Sequence, residues 1–182
     1  MAKKFLCYRM GQRNIRGTLE TFCYFIETLR ESGKKKGRII ELGTGFGGFS
    51  VFLALYCVFL GNNWELYTFD NDKKIDRCAS ETLSRLGVEF FNEDIFSDKT
   101  ERRIIDLIQQ EGTTVLLCDD GNKIKEFNLF APYLKSGDYI FAHDLRSEIN
   151  EVNIRTVCKK HGIESHMQNL FKRIFWISKV KT

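Results

Sequence analysis

Residues 41–48 read Glu41-Leu42-Gly43-Thr44-Gly45-Phe46-Gly47-Gly48. The run Arg38 to Leu42 before the glycines has β-strand character, and Phe49 to Leu60 behind them is long enough for a helix that Gly61 stops. A strand, a glycine turn and a helix make the first half of a βα unit. Glycine there permits positive φ and lets a ligand come close to the backbone. Gly43, Gly45 and Gly48 satisfy G-x-G-x-x-G, the spacing of a dinucleotide turn, for which Asp70 would hold a ribose. Glu41, Gly43, Gly45 and Gly47 equally satisfy E-x-G-x-G-x-G.

The same alternation runs outward on both sides. Leu19, Phe22, Cys23, Ile26 and Leu29 recur at helical spacing until Gly33. Trp64 to Phe69 reads as a strand meeting Asp70, and Asp72 is placed to cap a helix running to Gly87. Val88 to Phe91 is a third strand, ending near Asp94. Asp98 and Glu101 have capping-box spacing at the start of a helix carrying Ile104, Ile105, Leu107 and Ile108. Val115 to Cys118 is a strand ending in Asp119 and Asp120, and Lys123 to Leu134 is helical despite Pro132. Tyr139 to Ala142 ends at His143 and Asp144, and Ser147 can cap a helix closing at Gly162. Ile163 to Phe171 and Arg173 to Val180 then read as two consecutive strands without a helix between them.

This order predicts an α/β fold: a doubly wound, mostly parallel seven-stranded sheet with helices on both faces and an antiparallel last strand. Residues 1–182 form one domain, with 1–33 as an N-terminal helix and lid. Tyr8, Arg9, Arg13 and Arg16 of that region are candidates for contacting an anionic acceptor. In such sheets ligands bind beyond the carboxyl ends of the strands. Here nearly every such end carries an acid.

Composition narrows the setting. With 43% hydrophobic and 29% charged residues the chain is globular rather than disordered. No apolar run reaches the ~20 residues that span a bilayer, and no apolar stretch follows Lys3 and Lys4 as in a secretory signal. The six cysteines form no C-x-x-C pair and no zinc-finger spacing, which fits a reducing, cytoplasmic setting without a membrane. A net charge of +4, with Lys34 to Lys36 as the basic cluster, permits an anionic partner without requiring one. His161 and His166 are expected at the surface, and Asp138 in a turn without a functional role.

From Arg38 to Val180 the chain resembles the class I S-adenosylmethionine-dependent methyltransferases. The resemblance implies a cofactor site of Glu41, Gly43, Thr44, Gly45, Phe46, Gly47, Asp70, Asn71, Asp94, Ile95 and Asp119. A carboxylate at Glu41 would repel a pyrophosphate but suits a cofactor carrying an ammonium and a sulfonium. Asp70 can accept from both ribose hydroxyls. Asp94 can hold the adenine amino group, with Ile95 against the ring.

The stretch from Val115 through Asp119-Asp120-Gly121-Asn122 to His143-Asp144 is similar to the metal-dependent O-methyltransferases, in the branch of cephalosporin hydroxylases and sugar O-methyltransferases. That likeness implies Asp119, Asp120, His143 and Asp144 as the catalytic group. By position Asp119 or Asp120 would be the first ligand of a divalent cation, magnesium or manganese, with His143 and Asp144 as the pair. Oxygen ligands suit magnesium, and a histidine moves the preference toward manganese. The chain departs from the branch where Lys123 replaces a characteristic histidine and where His143 replaces an acid or amide.

The expected reaction is O-methylation of a small-molecule hydroxyl. A nucleic-acid acceptor is less favoured: no Asn/Asp-Pro-Pro-aromatic motif follows the fourth strand, Pro132 precedes Tyr133 rather than cysteine, and no lysine follows His143-Asp144 as a ribose methyltransferase would need. A hydroxylase-like enzyme, a nicotinamide-binding protein and a module that holds the cofactor without chemistry are the remaining readings.

Overall fold

The computed structural model describes residues 15–61, 63–72 and 74–182. Tyr8, Arg9 and Arg13 lie outside the described residues. The elements are α1 (Ile15–Glu31), β1 (Gly37–Leu42), α2 (Gly48–Leu60), β2 (Trp64–Phe69), α3 (Arg77–Arg85), β3 (Glu89–Phe91), α4 (Asp98–Gln109) and β4 (Thr113–Cys118). There follow α5 (Lys123–Phe130), β5 (Tyr139–Ala142), α6 (Glu151–His161), β6 (Ile163–Ser165), α7 (Gln168–Phe171) and β7 (Ile177–Lys181).

Seven strands form one sheet in the order β3-β2-β1-β4-β5-β7-β6. β1 through β5 pair in parallel, and β7 runs antiparallel to both β5 and β6. The chain leaves β1 toward β2 on one side and returns to β4 on the other. The crevice at the carboxyl ends of β1 and β4 is therefore the switch point of the sheet.

Parallel strands covered on both faces are apolar throughout, and β1 and β4 are buried along their whole length. Alternation sorts their side chains between two cores. Ile40, Leu42, Leu116 and Ile140 pack with Ile104, Phe127 and Ile154 from α4, α5 and α6. Ile39, Val115, Leu117 and Phe141 pack with Phe22, Phe25 and Leu53 from α1 and α2. Phe22 holds the second core together, its ring meeting Phe49, Phe171 and Trp176 edge-on at 5.2 Å each.

The consecutive strands expected at the carboxyl end need correction. Between β6 and β7 the chain folds into α7 and a 3₁₀ turn, Lys172–Ile174. Phe171, Ile174 and Trp176 are all buried in the core beneath Phe22. A strand would send Phe171 and Ile174 to opposite faces, whereas a helical turn sets them on one.

Several helix starts also move. Asp76, not Asp72, caps α3, its side chain accepting from the Cys78 amide at 2.9 Å. Ser97 caps α4, leaving Asp98 and Glu101 as first-turn acids. An Asn150–Asn153 capping box, not Ser147, opens α6. The predicted Lys123–Leu134 helix is α5 followed by a 3₁₀ turn at Ala131–Tyr133 that takes up Pro132.

Of the expected lid, the described part, α1, lies on the sheet, and Arg16 pairs with Glu20 on an exposed face. His166 is half-buried rather than superficial, packed against Phe25 and Tyr139. Asp138 has a structural role: its buried carboxylate accepts from the amides of Thr114 and Lys135 at 2.7 and 2.8 Å. No helix among the described residues is long and apolar enough to cross a membrane.

Candidate active site

A cavity of about 500 Å³ opens at the switch point. Its walls come from the glycine turn after β1, the loop after β2, the loop after β4 and the end of β5. Of the residues expected from sequence, Glu41, Gly43, Thr44, Gly45, Phe46, Asp70, Asn71, Asp119, Asp120, His143 and Asp144 all line it. Gly47, Asp94 and Ile95 do not. Gly47 turns into α2 beneath Ala79 and Ile75, Asp94 is exposed and accepts from the Phe96 amide, and Ile95 is wholly buried in the core.

Glu41 is the innermost acid. In the parallel register it faces Thr68 of β2. The Thr68 hydroxyl donates to Oε2 at 2.6 Å, and the Ser50 hydroxyl donates to the same oxygen. Burial pushes this carboxyl up to about 8, outweighing the two hydroxyl bonds, while Asp119 and Asp70 add to the rise. Sequence reading missed Ser50 and Thr68. The signal was available in the pairing of adjacent strands, which sets Thr68 beside Glu41.

The Asp70 carboxylate ties together the loops after β1 and β2. Oδ2 accepts from the Gly45 amide and Oδ1 from the Asp72 amide, both at 2.7 Å. Across the cavity, His143 Nδ1 lies 2.8 Å from Asp119 Oδ1 and 3.6 Å from Asp144 Oδ2. The His143 ring lies 4.8 Å from Trp176, which fixes its plane. Asp144 has φ 60°, a left-handed conformation uncommon outside glycine and often found at functional sites.

Ligand atoms of Asp119, His143 and Asp144 all lie within 4.8 Å of one another. A small octahedral cation at ~2.1 Å from its ligands places neighbouring ligand atoms ~3 Å apart; the 2.8 and 3.6 Å separations from His143 Nδ1 are of that order, so this mixed nitrogen and oxygen set could hold a divalent ion after small shifts. Of the two adjacent acids, Asp119 stands in this group and Asp120 does not.

Five lining residues were not among those expected at the site: Phe49, Asp72, Lys74, Gly121 and Lys123. Of these, Lys123 is 7% exposed. Burial alone would lower the Lys123 ammonium, but Glu148, Asp119 and Asp144 raise it on balance. Glu126, fully buried beneath the loop, accepts from the amides of Asn122 at 2.9 Å and Asp120 at 3.3 Å. Burial pushes its carboxyl up to about 8 against those two bonds.

The sheet order, the acidic residue at the end of β1 and the glycine turn define a class I S-adenosylmethionine-dependent methyltransferase. More narrowly, residues 33–162 match the family model of rhamnosyl O-methyltransferase/CmcI, and the chain belongs to that family. A search of curated proteins by sequence gives no match. Among solved structures, a CmcI with Mg and SAM is 14% identical with a TM-score of 0.63, over 87% of this chain and 69% of that one. CmcI in its apo form gives 13% and 0.65, over 91% and 71%. The O-methyltransferase TomG from Streptomyces achromogenes, involved in tomaymycin synthesis and in complex with SAM, gives 15% and 0.51, over 86% and 77%.

Proposed function

We propose that the chain transfers the methyl group of S-adenosylmethionine to a hydroxyl of a small molecule, within the cavity between β1 and β4. One observation carries this reading: Glu41, the glycine turn and Asp70 share a single cavity with Asp119, His143 and Asp144. The first set suits a cofactor with an ammonium group, a sulfonium and a ribose. The second suits an acceptor whose oxygen must lose a proton.

Methyl transfer is an in-line displacement, so the protein's work is positioning and proton removal. Glu41 would face the ammonium, and Asp70 the ribose hydroxyls. Asp94, exposed outside the cavity lining, would meet the adenine only from the rim, and Ile95, buried in the core, would not reach it. The acceptor would sit at the Asp119–His143–Asp144 end. A divalent cation held by those three residues would lower the pKa of the acceptor hydroxyl.

A second handling of the proton is favoured by the 2.8 Å contact between His143 Nδ1 and Asp119. With Nδ1–H donated to Asp119, Nε2 keeps its lone pair and can take the acceptor's proton. A small-molecule acceptor is preferred over nucleic acid because the cavity is bounded and its walls are acidic. The described cysteines, Cys23, Cys57, Cys78, Cys118 and Cys158, are all free, which supports a reducing, cytoplasmic setting.

Calorimetric titration of the protein with S-adenosylmethionine, S-adenosylhomocysteine and NAD, with and without manganese, tests the reading. Binding of both adenosyl compounds and not of NAD supports it. Binding of NAD alone, or of none, overturns it. Incubation with methyl-labelled cofactor and a panel of hydroxylated small molecules then identifies the acceptor class.

A further inference from the structure

Lys123 is the first residue of α5 and lies at the carboxyl end of β4. Its Nζ is 2.7 Å from Glu148 Oε2 and 3.5 Å from Asp144 Oδ2. Asp144 is also one of the three residues whose ligand atoms converge with Asp119 and His143. One carboxylate is thus offered to two cations: an ammonium on a four-carbon tether and a divalent ion. An ammonium has three donors and no lone pair, so it cannot join the ligand set. It can only compete for the oxygen.

The backbone builds the competition in. Asp144 starts a tight turn with its φ of 60°, and its carbonyl accepts from the amides of Ser147 and Glu148 at 3.0 Å each. That turn folds Glu148 back beside Asp144, so one ammonium reaches both carboxylates. Glu148 makes the shorter contact and its side chain is 49% exposed, whereas Asp144 faces the cavity with 15%. The two partners are therefore unequal: Glu148 is an outer seat for the ammonium, and Asp144 is an inner one shared with the metal site.

We propose that Lys123 is a tethered competitor for the divalent cation and that Glu148 is the seat that draws it away. The Lys123–Glu148 pair then sets how tightly Asp119, His143 and Asp144 hold a metal. This inference rests on the metal-binding reading of those three residues.

The test is calorimetric titration of the full chain with MnCl₂, for the wild type, Lys123→Gln, Glu148→Gln and the double variant. Asp144→Asn serves as the blank that identifies heat from this site. Lys123→Gln should tighten manganese about ten-fold or more, the scale on which partners just outside a metal's ligands act. Glu148→Gln should weaken it, because the ammonium then settles wholly on Asp144. In the Lys123→Gln background, Glu148→Gln should have almost no effect.

Two independent charges would instead act additively, so an additive double variant overturns the proposal. Lys123→Gln binding manganese no more tightly than the wild type also overturns it. If Lys123→Gln does not fold, Lys123→Met keeps the stem, and Glu148→Gln on the exposed side reads the other half. Absence of any heat sensitive to Asp144→Asn in every variant overturns both the proposal and the metal reading. S-adenosylmethionine affinity, measured on the same samples, judges the methyltransferase reading separately.

Discussion

Gly43 and Asp119 touch through their backbones. A Cβ on Gly43 would lie 2.7 Å from the Asp120 nitrogen and closer still to the Asp119 carbonyl. The contact is locked by the Asp119 amide, which donates to the Leu42 carbonyl at 2.8 Å. The glycine turn and the loop that carries Asp119 and Asp120 are therefore held directly against each other.

Gly43→Ala should accordingly damage both halves of the site. It combines a backbone clash with φ 102°, so it should cost on the order of 3 kcal/mol. A fall in Tm of roughly 6–12 °C follows for a chain of this size. Gly45, with φ 52° and open space where its Cβ would be, is the control. Gly45→Ala should cost only about 1 kcal/mol. Equal melting temperatures for the two variants would refute the backbone-contact argument.

Glu41 predicts opposite pH trends for binding and for stability. Its folded value of about 8 exceeds the ordinary 4.5, so the folded state holds a proton that the unfolded state has lost between those values. Stability is fully present below about 4.5 and falls as pH rises through 8, by on the order of a few kcal/mol. Glu126 contributes a slope of the same sign. Glu41→Gln should remove part of the slope in denaturant melts from about pH 5 to about pH 9. A cofactor ammonium favours the ionised carboxylate, so wild-type affinity for S-adenosylmethionine should rise with pH toward 8. That of Glu41→Gln should be weaker and flat. A wild-type affinity independent of pH would count against Glu41 as the ammonium partner.

Asp70 should matter equally for both adenosyl compounds. Asp70→Asn removes the negative charge proposed to face a ribose and one of the two carboxylate acceptors that tie Gly45 and Asp72. S-adenosylmethionine and S-adenosylhomocysteine should both weaken by about 10–100-fold, since they share the ribose. Loss confined to one of them would move Asp70 away from the ribose.

The βα alternation was legible because the parallel strands are short, largely apolar runs, and β1, β2, β4 and β5 end at residues that line the cavity, whereas β3 does not. Glu41, Asp70, Asp119, His143 and Asp144 could be found that way. The carboxyl end could not, because Phe171, Ile174 and Trp176 obey a tertiary demand, the space beneath Phe22, that no local periodicity encodes. Which of the adjacent acids meets His143 was equally hidden. The bond from the Asp119 amide to Leu42 sets that side chain's position, and it belongs to two strands far apart in sequence. Lys123 could be placed from sequence only at a helix start; its pairing with Asp144 and Glu148 needs the fold to bring them together.

His143 and Asp119 should behave as one unit in turnover. The ring is held by Asp119 at 2.8 Å and by the face of Trp176, so removing either polar partner leaves the other without its task. With an acceptor in hand, His143→Ala should lower kcat by about 10²–10⁴-fold, whether the ring takes the proton or helps to hold a cation. The affinity for S-adenosylmethionine, bound at the Glu41 and Asp70 end, should stay within about two-fold. Asp119→Asn should lower kcat comparably, and the double variant should be scarcely worse than either alone, as expected for residues that act together. Single-turnover rates of the three variants check this. Multiplying losses would mean that Asp119 works on the cofactor and His143 on the acceptor, as two separate groups that happen to touch.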